Sequence, residues 1–180
     1  ILWHIMKIYS AYGLNDFIIC LGYKGEMIKR YFADYFVNHS DVTFDLQNQK
    51  IQLHHSEIEP WRVTLVDTGE QTMTGGRIKR IRDYVENDTF CLTYGDGVGN
   101  INLTELIEFH RDQKTLATLT AVQPPGRFGA FSLEESEIKI RDFREKGTQK
   151  AAWINGGFFV LEPAIFEYIN TDGTIWEQEP

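Results

Sequence analysis

The chain has 180 residues, of which 42% are hydrophobic and 13% aromatic, and its formal net charge is -8. Enough apolar residues are present to bury the core of one domain of ordinary size, which excludes a disordered chain. The acidic balance argues against a nucleic-acid partner, since such proteins usually need a basic face. It still allows a nucleotide in a locally positive pocket.

The cysteines and the apolar runs bear on the compartment. Cys20 and Cys91 stand alone in apolar runs, which predicts reduced thiols in the core and a reducing, cytoplasmic location. No apolar run is long enough to span a bilayer, so we expect no membrane partner. The sequence begins at Ile1 rather than Met and ends on Pro180, and we interpret it as cut at both ends.

The first third of the chain alternates helix and strand. Spacing of apolar residues predicts a helix up to Tyr12, with Gly13 as its stop. The continuous apolar run 17–21 predicts a strand buried on both faces, and 26–36 reads as a helix. This alternation indicates an α/β protein with an open, mostly parallel but mixed sheet flanked by helices.

The remaining elements continue this alternation. Residues 41–54 predict strands or a hairpin, and Gly75-Gly76 precede a predicted helix at 77–85. Other predicted elements are strands at 63–66, 89–93, 117–122 and 153–161, helices at 103–112 (with Asn102 as N-cap) and 163–169, and a small antiparallel excursion at 131–133 and 138–143.

The most informative motif is Tyr94-Gly95-Asp96-Gly97, which directly follows the predicted strand 89–93. Ligands in open α/β sheets bind at the carboxyl ends of strands, and the flanking glycines let a ligand come close to Asp96. A lone carboxylate there suits Mg²⁺, which prefers one or two carboxylates plus substrate phosphates. The alternative is an ordinary Asp-Gly turn. A dinucleotide loop is disfavoured because the third glycine of that fingerprint is missing.

Two further segments carry candidate binding residues. Small residues and glycines at 72–76, followed by Arg77, can present backbone amides and a guanidinium to an anion. Glu145, Lys146 and Asn155-Gly156 can bind sugar hydroxyls and a phosphate. The alternatives are a solvated basic helix after a glycine loop, and a surface ion pair with a bulged strand.

Five segments taken together resemble a known family. In order they are EPWRVTLVDTGEQTMTGGRIKR, TYGDGV, PPGRFGA, INGGFFVL and WEQEP. They are similar to the glucose-1-phosphate cytidylyltransferases, a branch of the sugar-1-phosphate nucleotidylyltransferases, over essentially the whole chain. The resemblance implies a Rossmann-like, GT-A-like fold, with 1–180 as a single catalytic domain. It also implies that the family's N-terminal phosphate-binding loop and its C-terminal part, with a second metal-binding aspartate, are missing here.

The resemblance further implies an activity, partners and site residues. The activity is transfer of CMP from CTP to glucose 1-phosphate, giving CDP-glucose and pyrophosphate, with Mg²⁺ as cofactor, in a homo-oligomer that serves O-antigen and lipopolysaccharide synthesis. The implied site consists of Asp96 on the metal, Asp96 and Arg77 in catalysis, Thr72, Arg77 and Gly95 on the nucleotide, and Gly129, Glu145, Lys146, Asn155 and Gly156 on the sugar phosphate.

Other functions stay open at this point. The same fold can use dTTP, UTP or GTP, and physical reasoning from these residues does not choose the base. A non-catalytic relative that binds a nucleotide sugar is a second alternative, and a dehydrogenase-type domain is a third.

Overall fold

The structure is a computed structural model that describes residues 1–123, 130–132, 141–144 and 153–179. The helices are α1 (Leu2–Ser10), α2 (Gly25–Ala33), α3 (Tyr35–Asn38), α4 (Thr74–Arg80), α5 (Arg82–Val85) and α6 (Leu103–Gln113), and a 3₁₀ helix covers Pro163–Tyr168. The strands are β1 (Asp16–Leu21), β2 (Ser40–Asp45), β3 (Lys50–Ser56), β4 (Arg62–Asp67), β5 (Phe90–Thr93), β6 (Ala117–Val122), β7 (Ala130–Ser132), β8 (Arg141–Arg144) and β9 (Ile154–Leu161).

β1 and β4 form a parallel pair, as the helix–strand alternation predicts. The chain enters β1 from α1, which ends just before Gly13, and Gly13 takes the left-handed φ of +79° that favours glycine at a helix stop. The prediction that 17–21 is buried on both faces is wrong for most of the strand: residues 17–20 are half-buried and only Leu21 is buried. Among the described strands β1 pairs with β4 alone, and its other edge lines a cleft.

The central sheet has the order β5-β9-β6 and is antiparallel at both pairings. β5 and β6 therefore run in the same direction, joined by the crossover helix α6, as in a β-α-β unit. β9 inserts between them and reverses both pairings. The α/β class and the mixed sheet are confirmed, whereas parallel pairs do not dominate the described strands. Local sequence patterns predict each of these strands. They do not predict that β9, which is distant in sequence, lies between β5 and β6.

β9 is the centre of the core because its side chains alternate between the two faces of the sheet. Phe158 packs in a cluster with Ile5, Tyr9 and Leu103. Its neighbour Phe159 packs on the other face, in a cluster with Val66, Ile78, Ile81, Val85, Leu161, Ile165, Phe166 and Ile169. Burying one such aromatic side chain stabilises the fold by about 1.5–3 kcal/mol.

Several predicted boundaries are confirmed and others shift. Asn102 caps α6 as predicted, with its Oδ1 accepting from the Glu105 amide at 3.3 Å. The predicted hairpins correspond to the antiparallel pairs β2–β3 and β7–β8. The predicted helix 26–36 breaks at Asp34, and 163–169 is a 3₁₀ rather than an α-helix start. In the described part of the chain, the helices are too short or too polar to cross a bilayer.

Candidate active site

The pairing of β5 with β9 assembles the candidate site. Thr93, the last residue of β5, lies opposite Phe158, four residues after β9 begins. Because the strands are antiparallel, the residues that follow β5 lie beside those that open β9. Gly95 and Asp96 are thereby brought to the same edge of the sheet as Asn155. β6 ends there too, since Val122 pairs with Ile154.

Asn155 links the two segments through its side-chain amide. Its Nδ2 donates to the Tyr94 hydroxyl at 3.1 Å, and its Oδ1 accepts from the Gly157 amide at 2.8 Å. Gly157 has a φ of +79°, and an added Cβ there would lie 3.1 Å from the Tyr94 ring. Burial, then a hydrogen bond with Glu177, raises the pKa of Tyr94, so its hydroxyl stays protonated at neutral pH.

Asp96 lies exposed in this edge, and among the described residues no side chain pairs with its carboxylate. An added Cβ at Gly95 or at Gly97 would meet nothing within 4 Å. The space around the carboxylate is therefore open to a ligand. Within the described ranges no cluster of three His, Cys, Asp or Glu could hold an ion. A single accessible carboxylate fits a Mg²⁺ ion whose other ligands are phosphate oxygens and water.

Gly156 has a different environment from the glycines next to Asp96. An added Cβ there would lie 2.9 Å from the Thr120 carbonyl oxygen and 3.0 Å from a Val122 methyl carbon. The glycine therefore lets β9 approach β6 closely, beside the register shift between Leu119 and Ala121. This contact gives Gly156 a packing role whether or not the sugar phosphate also reaches it.

The glycines Gly75 and Gly76 lie inside the first turn of α4 rather than before it, contrary to the predicted helix start. A segment that we call the strap, residues 170–177, covers this turn. The amides of Gly75 and Gly76 donate to the Thr174 carbonyl at 2.9 and 3.3 Å. The Met73 amide donates to the Asp172 carbonyl at 2.9 Å. These three amides are therefore used within the protein and are not presented to an anion.

Side chains tie the strap to α4 as well. The Thr74 hydroxyl donates to the Glu177 carboxylate at 2.8 Å and accepts from the Trp176 amide at 2.9 Å. Arg80 Nε donates to the Asp172 carboxylate at 3.0 Å. The motif at 72–80 is thus a docking surface for the strap, and this explains two glycines whose role the sequence left open.

Arg77 projects from α4 towards the carboxyl ends of β1 and β4. Its Nη1 donates to the Leu21 carbonyl at 3.1 Å and to the Thr68 hydroxyl at 2.8 Å. Its Nη2 donates to the Glu70 carbonyl at 3.2 Å. All three acceptors are uncharged, and no carboxylate among the described residues pairs with the guanidinium that they hold in place.

A cleft of about 790 Å³ separates β1 from β5. Arg77 and Gly95 both line it, together with Thr74 and Tyr94. Most of the remaining lining is apolar, and α1, β1 and β5 contribute many of these residues. A fixed cation and the residue that precedes Asp96 therefore line the same cleft. Thr72 is buried beside Gly69 and is not among the cleft-lining residues.

Comparison with known proteins identifies the family. Glucose-1-phosphate cytidylyltransferase of Salmonella typhi is 54% identical over 181 aligned residues, which cover 100% of this chain and 70% of that protein. The probable glucose-1-phosphate cytidylyltransferase of Bacillus subtilis (strain 168) is 47% identical with the same coverage. The chain belongs to the glucose-1-phosphate cytidylyltransferase family. No protein-family model matches it.

Solved structures confirm the nucleotidyltransferase fold of this cytidylyltransferase-family chain. The crystal structure of HddC from Yersinia pseudotuberculosis superposes with a TM-score of 0.64 at 22% identity, covering 98% of this chain and 69% of that one. At this identity the likeness concerns the fold alone.

The structure brings together part of the predicted cytidylyltransferase site. Arg77 and Gly95 line the cleft, Asp96 follows Gly95 in the turn after β5, and Asn155 contacts Tyr94 from β9, whereas Thr72 and Gly156 are packed against neighbouring backbone. The predicted contacts at Gly129, Glu145 and Lys146 lie outside the described residues. Sequence reasoning assigned no role to Thr68, Thr74, Tyr94 or Glu177. Thr68 and Tyr94 did leave a signal, because each directly follows a strand end, in Asp67-Thr68-Gly69 and in Tyr94-Gly95-Asp96-Gly97.

The two cysteines are free thiols, as predicted from their apolar runs. Burial raises the pKa of each to about 11, and in Cys20 the nearby Arg77 only partly offsets this effect. Thiols in this state are not nucleophiles at neutral pH. They therefore take no part in the chemistry of this site.

Proposed function

We propose that this chain carries the activity of its family, transfer of CMP from CTP to glucose 1-phosphate with release of pyrophosphate. The identity of 54% over the whole chain is the observation that carries the proposal. The site supports it, because Arg77 and the residue before Asp96 line one cleft, and a fixed cation and an accessible carboxylate at strand ends suit a nucleoside triphosphate and its metal.

Asp96 is the residue that we assign to Mg²⁺. When bound, the ion would neutralise charge on the phosphates and align them. The carboxylate is exposed, its flanking glycines leave open space, and it competes with no described ion pair. Its role in this proposal is to hold the metal-bound triphosphate at the end of β5.

Arg77 is assigned to the nucleotide phosphates. The guanidinium has five N–H donors, and three are used on Leu21, Thr68 and Glu70. The Nε–H and one Nη2–H have no partner in the described part of the chain, so they can bind phosphate oxygens. Because the attacking phosphate oxygen of glucose 1-phosphate is already an anion, no strong general base is needed. Catalysis then depends on alignment and charge neutralisation.

Asn155 is assigned to the sugar phosphate. One Nδ2 proton is donated to Tyr94, and the second has no partner among the described residues, so it can bind a sugar hydroxyl. Lys146 would neutralise the phosphate of glucose 1-phosphate, Glu145 would bind sugar hydroxyls, and the loop with Gly129 would approach the sugar. Thr72 and Gly156 complete the binding residues that the resemblance implies.

The resemblance also implies the biological setting that we propose. CDP-glucose would be the product, serving bacterial surface polysaccharide such as O-antigen. We propose a homo-oligomer on the same ground, and a cytoplasmic location because two isolated cysteines suit a reducing compartment.

The direct test is pyrophosphate release from glucose 1-phosphate with CTP, dTTP, UTP and GTP, with and without Mg²⁺. The complete gene product that carries this sequence should be assayed. We expect Mg²⁺-dependent release with CTP alone. Release with another nucleotide would keep the fold and change the substrate. A folded protein that is stabilised by CTP against heat without any release would instead be a binding relative.

A further inference from the structure

Thr68 is a fully buried hydroxyl at the hub of a small hydrogen-bond network. Its amide and its Oγ1 both donate to the Leu21 carbonyl, at 2.9 and 2.8 Å. The same Oγ1 accepts from Arg77 Nη1 at 2.8 Å. Since an arginine can only donate, the Thr68 proton must point to Leu21, and every hydrogen bond in this network has one possible direction.

Gly22 completes the cradle around the guanidinium of Arg77. An added Cβ at Gly22 would lie 2.6 Å from Nη1, 2.8 Å from Nη2 and 3.0 Å from Cζ. The guanidinium therefore lies against the Gly22 backbone, where any side chain would displace it. The displaced group would be the far end of a flexible side chain, so the fold itself need not change.

Arg77 differs from three other arginines of the described chain in having no carboxylate partner. Arg62, Arg80 and Arg82 each pair with a carboxylate, namely Asp16, Asp172 and Glu167. Arg77 forms no ion pair with any residue that the structure describes, although it is half-buried and lines the cleft. A half-buried cation that is fixed by neutral acceptors is left to attract an anion.

We propose that Thr68 and Gly22 are positioning residues, which fix the guanidinium of Arg77 so that its Nε–H and remaining Nη2–H face the phosphates of the bound nucleotide. This inference rests on the proposed function for the identity of the anion. Fixing the group before binding reduces the conformational entropy that binding would otherwise cost, and it sets the direction of both free donors. Neither residue touches the substrate itself.

Gly22→Ala is the main test, with Gly173→Ala as a matched control, since an added Cβ at Gly173 meets nothing closer than 3.6 Å. In the complete gene product we expect Gly22→Ala to raise KM for CTP about tenfold or more. KM for glucose 1-phosphate and the unfolding temperature should stay close to wild type. The control should match wild type in all three. An unchanged KM for CTP in Gly22→Ala would overturn the inference.

Thr68 is tested by a pair of substitutions that separates the hydroxyl from the shape. Thr68→Val removes the acceptor of Arg77 Nη1, whereas Thr68→Ser retains it. We expect Thr68→Val to raise KM for CTP and Thr68→Ser to restore it towards wild type. Equal KM values in the two variants would overturn the role of the hydroxyl.

A double-mutant cycle shows whether both residues act through Arg77. In an Arg77→Met background, Gly22→Ala and Thr68→Val should each leave KM for CTP unchanged. A further tenfold rise there would overturn the inference. Titration calorimetry with inorganic pyrophosphate measures anion binding directly and compares Gly22→Ala with wild type without turnover. Weaker binding by Gly22→Ala than by wild type supports the positioning role even if CTP is not the substrate, and equal or absent binding by both overturns it.

Discussion

Two glycine-bearing segments look alike in the sequence and differ in the structure. The sequence suggests a loop that lets a ligand approach in both places, at Gly75-Gly76 in α4 and at the glycines on either side of Asp96. The first pair is closed, because the strap packs against it and accepts hydrogen bonds from both amides. The second pair is open, with nothing within 4 Å of an added Cβ. The same residue type therefore serves packing in one segment and access in the other, and only the neighbouring chain distinguishes them.

The largest expected effect lies in the open segment, at Asp96. Asp96→Ala should lower pyrophosphate release with CTP at least about 100-fold, because the carboxylate assigned to the metal is lost. The unfolding temperature should not change, since Asp96 is exposed and forms no ion pair with a described residue. Steady-state kinetics check the loss of activity, and thermal unfolding of the same sample checks that the unfolding temperature is unchanged. Normal turnover by Asp96→Ala would contradict the assignment of Asp96 to the metal.

Gly76→Ala should have the largest effect on stability in the closed segment. An added Cβ would lie 2.6 Å from the Cα of Asp172, a backbone atom that cannot swing aside. The expected loss is about 1–3 kcal/mol in the free energy of unfolding, which outweighs the gain of up to about 1 kcal/mol from replacing glycine in a helix.

Gly97→Ala is the matched control for stability in the open segment, and denaturant unfolding of both variants makes the comparison. Gly97→Ala should change the free energy of unfolding by less than about 0.5 kcal/mol. Equal losses in the two variants would erase the distinction between closed and open glycines.

Thr74→Val tests whether hydrogen bonds of Thr74 hold the strap against the closed glycines, because it removes these bonds without adding volume. It removes the hydrogen bonds with Glu177 and with the Trp176 amide, at an expected cost of about 1 kcal/mol. Hydrogen exchange of the Gly75 and Gly76 amides should speed up in this variant. Exchange as slow as in wild type would mean that Thr74 does not hold the strap.

The smallest expected effect concerns acid pH. The hydrogen bond from Arg80, followed by the positive charges of Arg80 and Lys79, holds the pKa of Asp172 below its ordinary 3.8. A carboxyl whose pKa is lowered by folding stabilises the protein above its unfolded pKa and loses that contribution as the pH falls through the folded value. The strap should therefore loosen at acid pH.

Thermal unfolding between about pH 5 and pH 3 checks this linkage. Asp172→Asn should show a shallower fall of the unfolding temperature than wild type, while the exposed Asp112→Asn on α6 should follow wild type. Identical slopes for Asp172→Asn and wild type would show that the contact with Arg80 contributes nothing to acid sensitivity.

The sequence by itself determined the α/β class, the order and type of most elements and the family, and it predicts a metal-binding role for Asp96. Apolar periodicity and turn residues act over a few positions, so strands such as 89–93 and the N-cap at Asn102 can be predicted from the local sequence. Short motifs also carry the family resemblance, which holds over the whole chain.

The tertiary structure alone decided what depends on distant parts of the chain. It placed β9 between β5 and β6, which brings Asn155 beside the turn after β5. It also placed the strap against Gly75-Gly76. Around the Arg77 side chain it brought together Gly22, which is 55 residues away in sequence, and Thr68, which is 9 residues away. Such contacts arise from packing and hydrogen bonding between elements, and no local pattern records which distant backbone will fill the space beside a glycine.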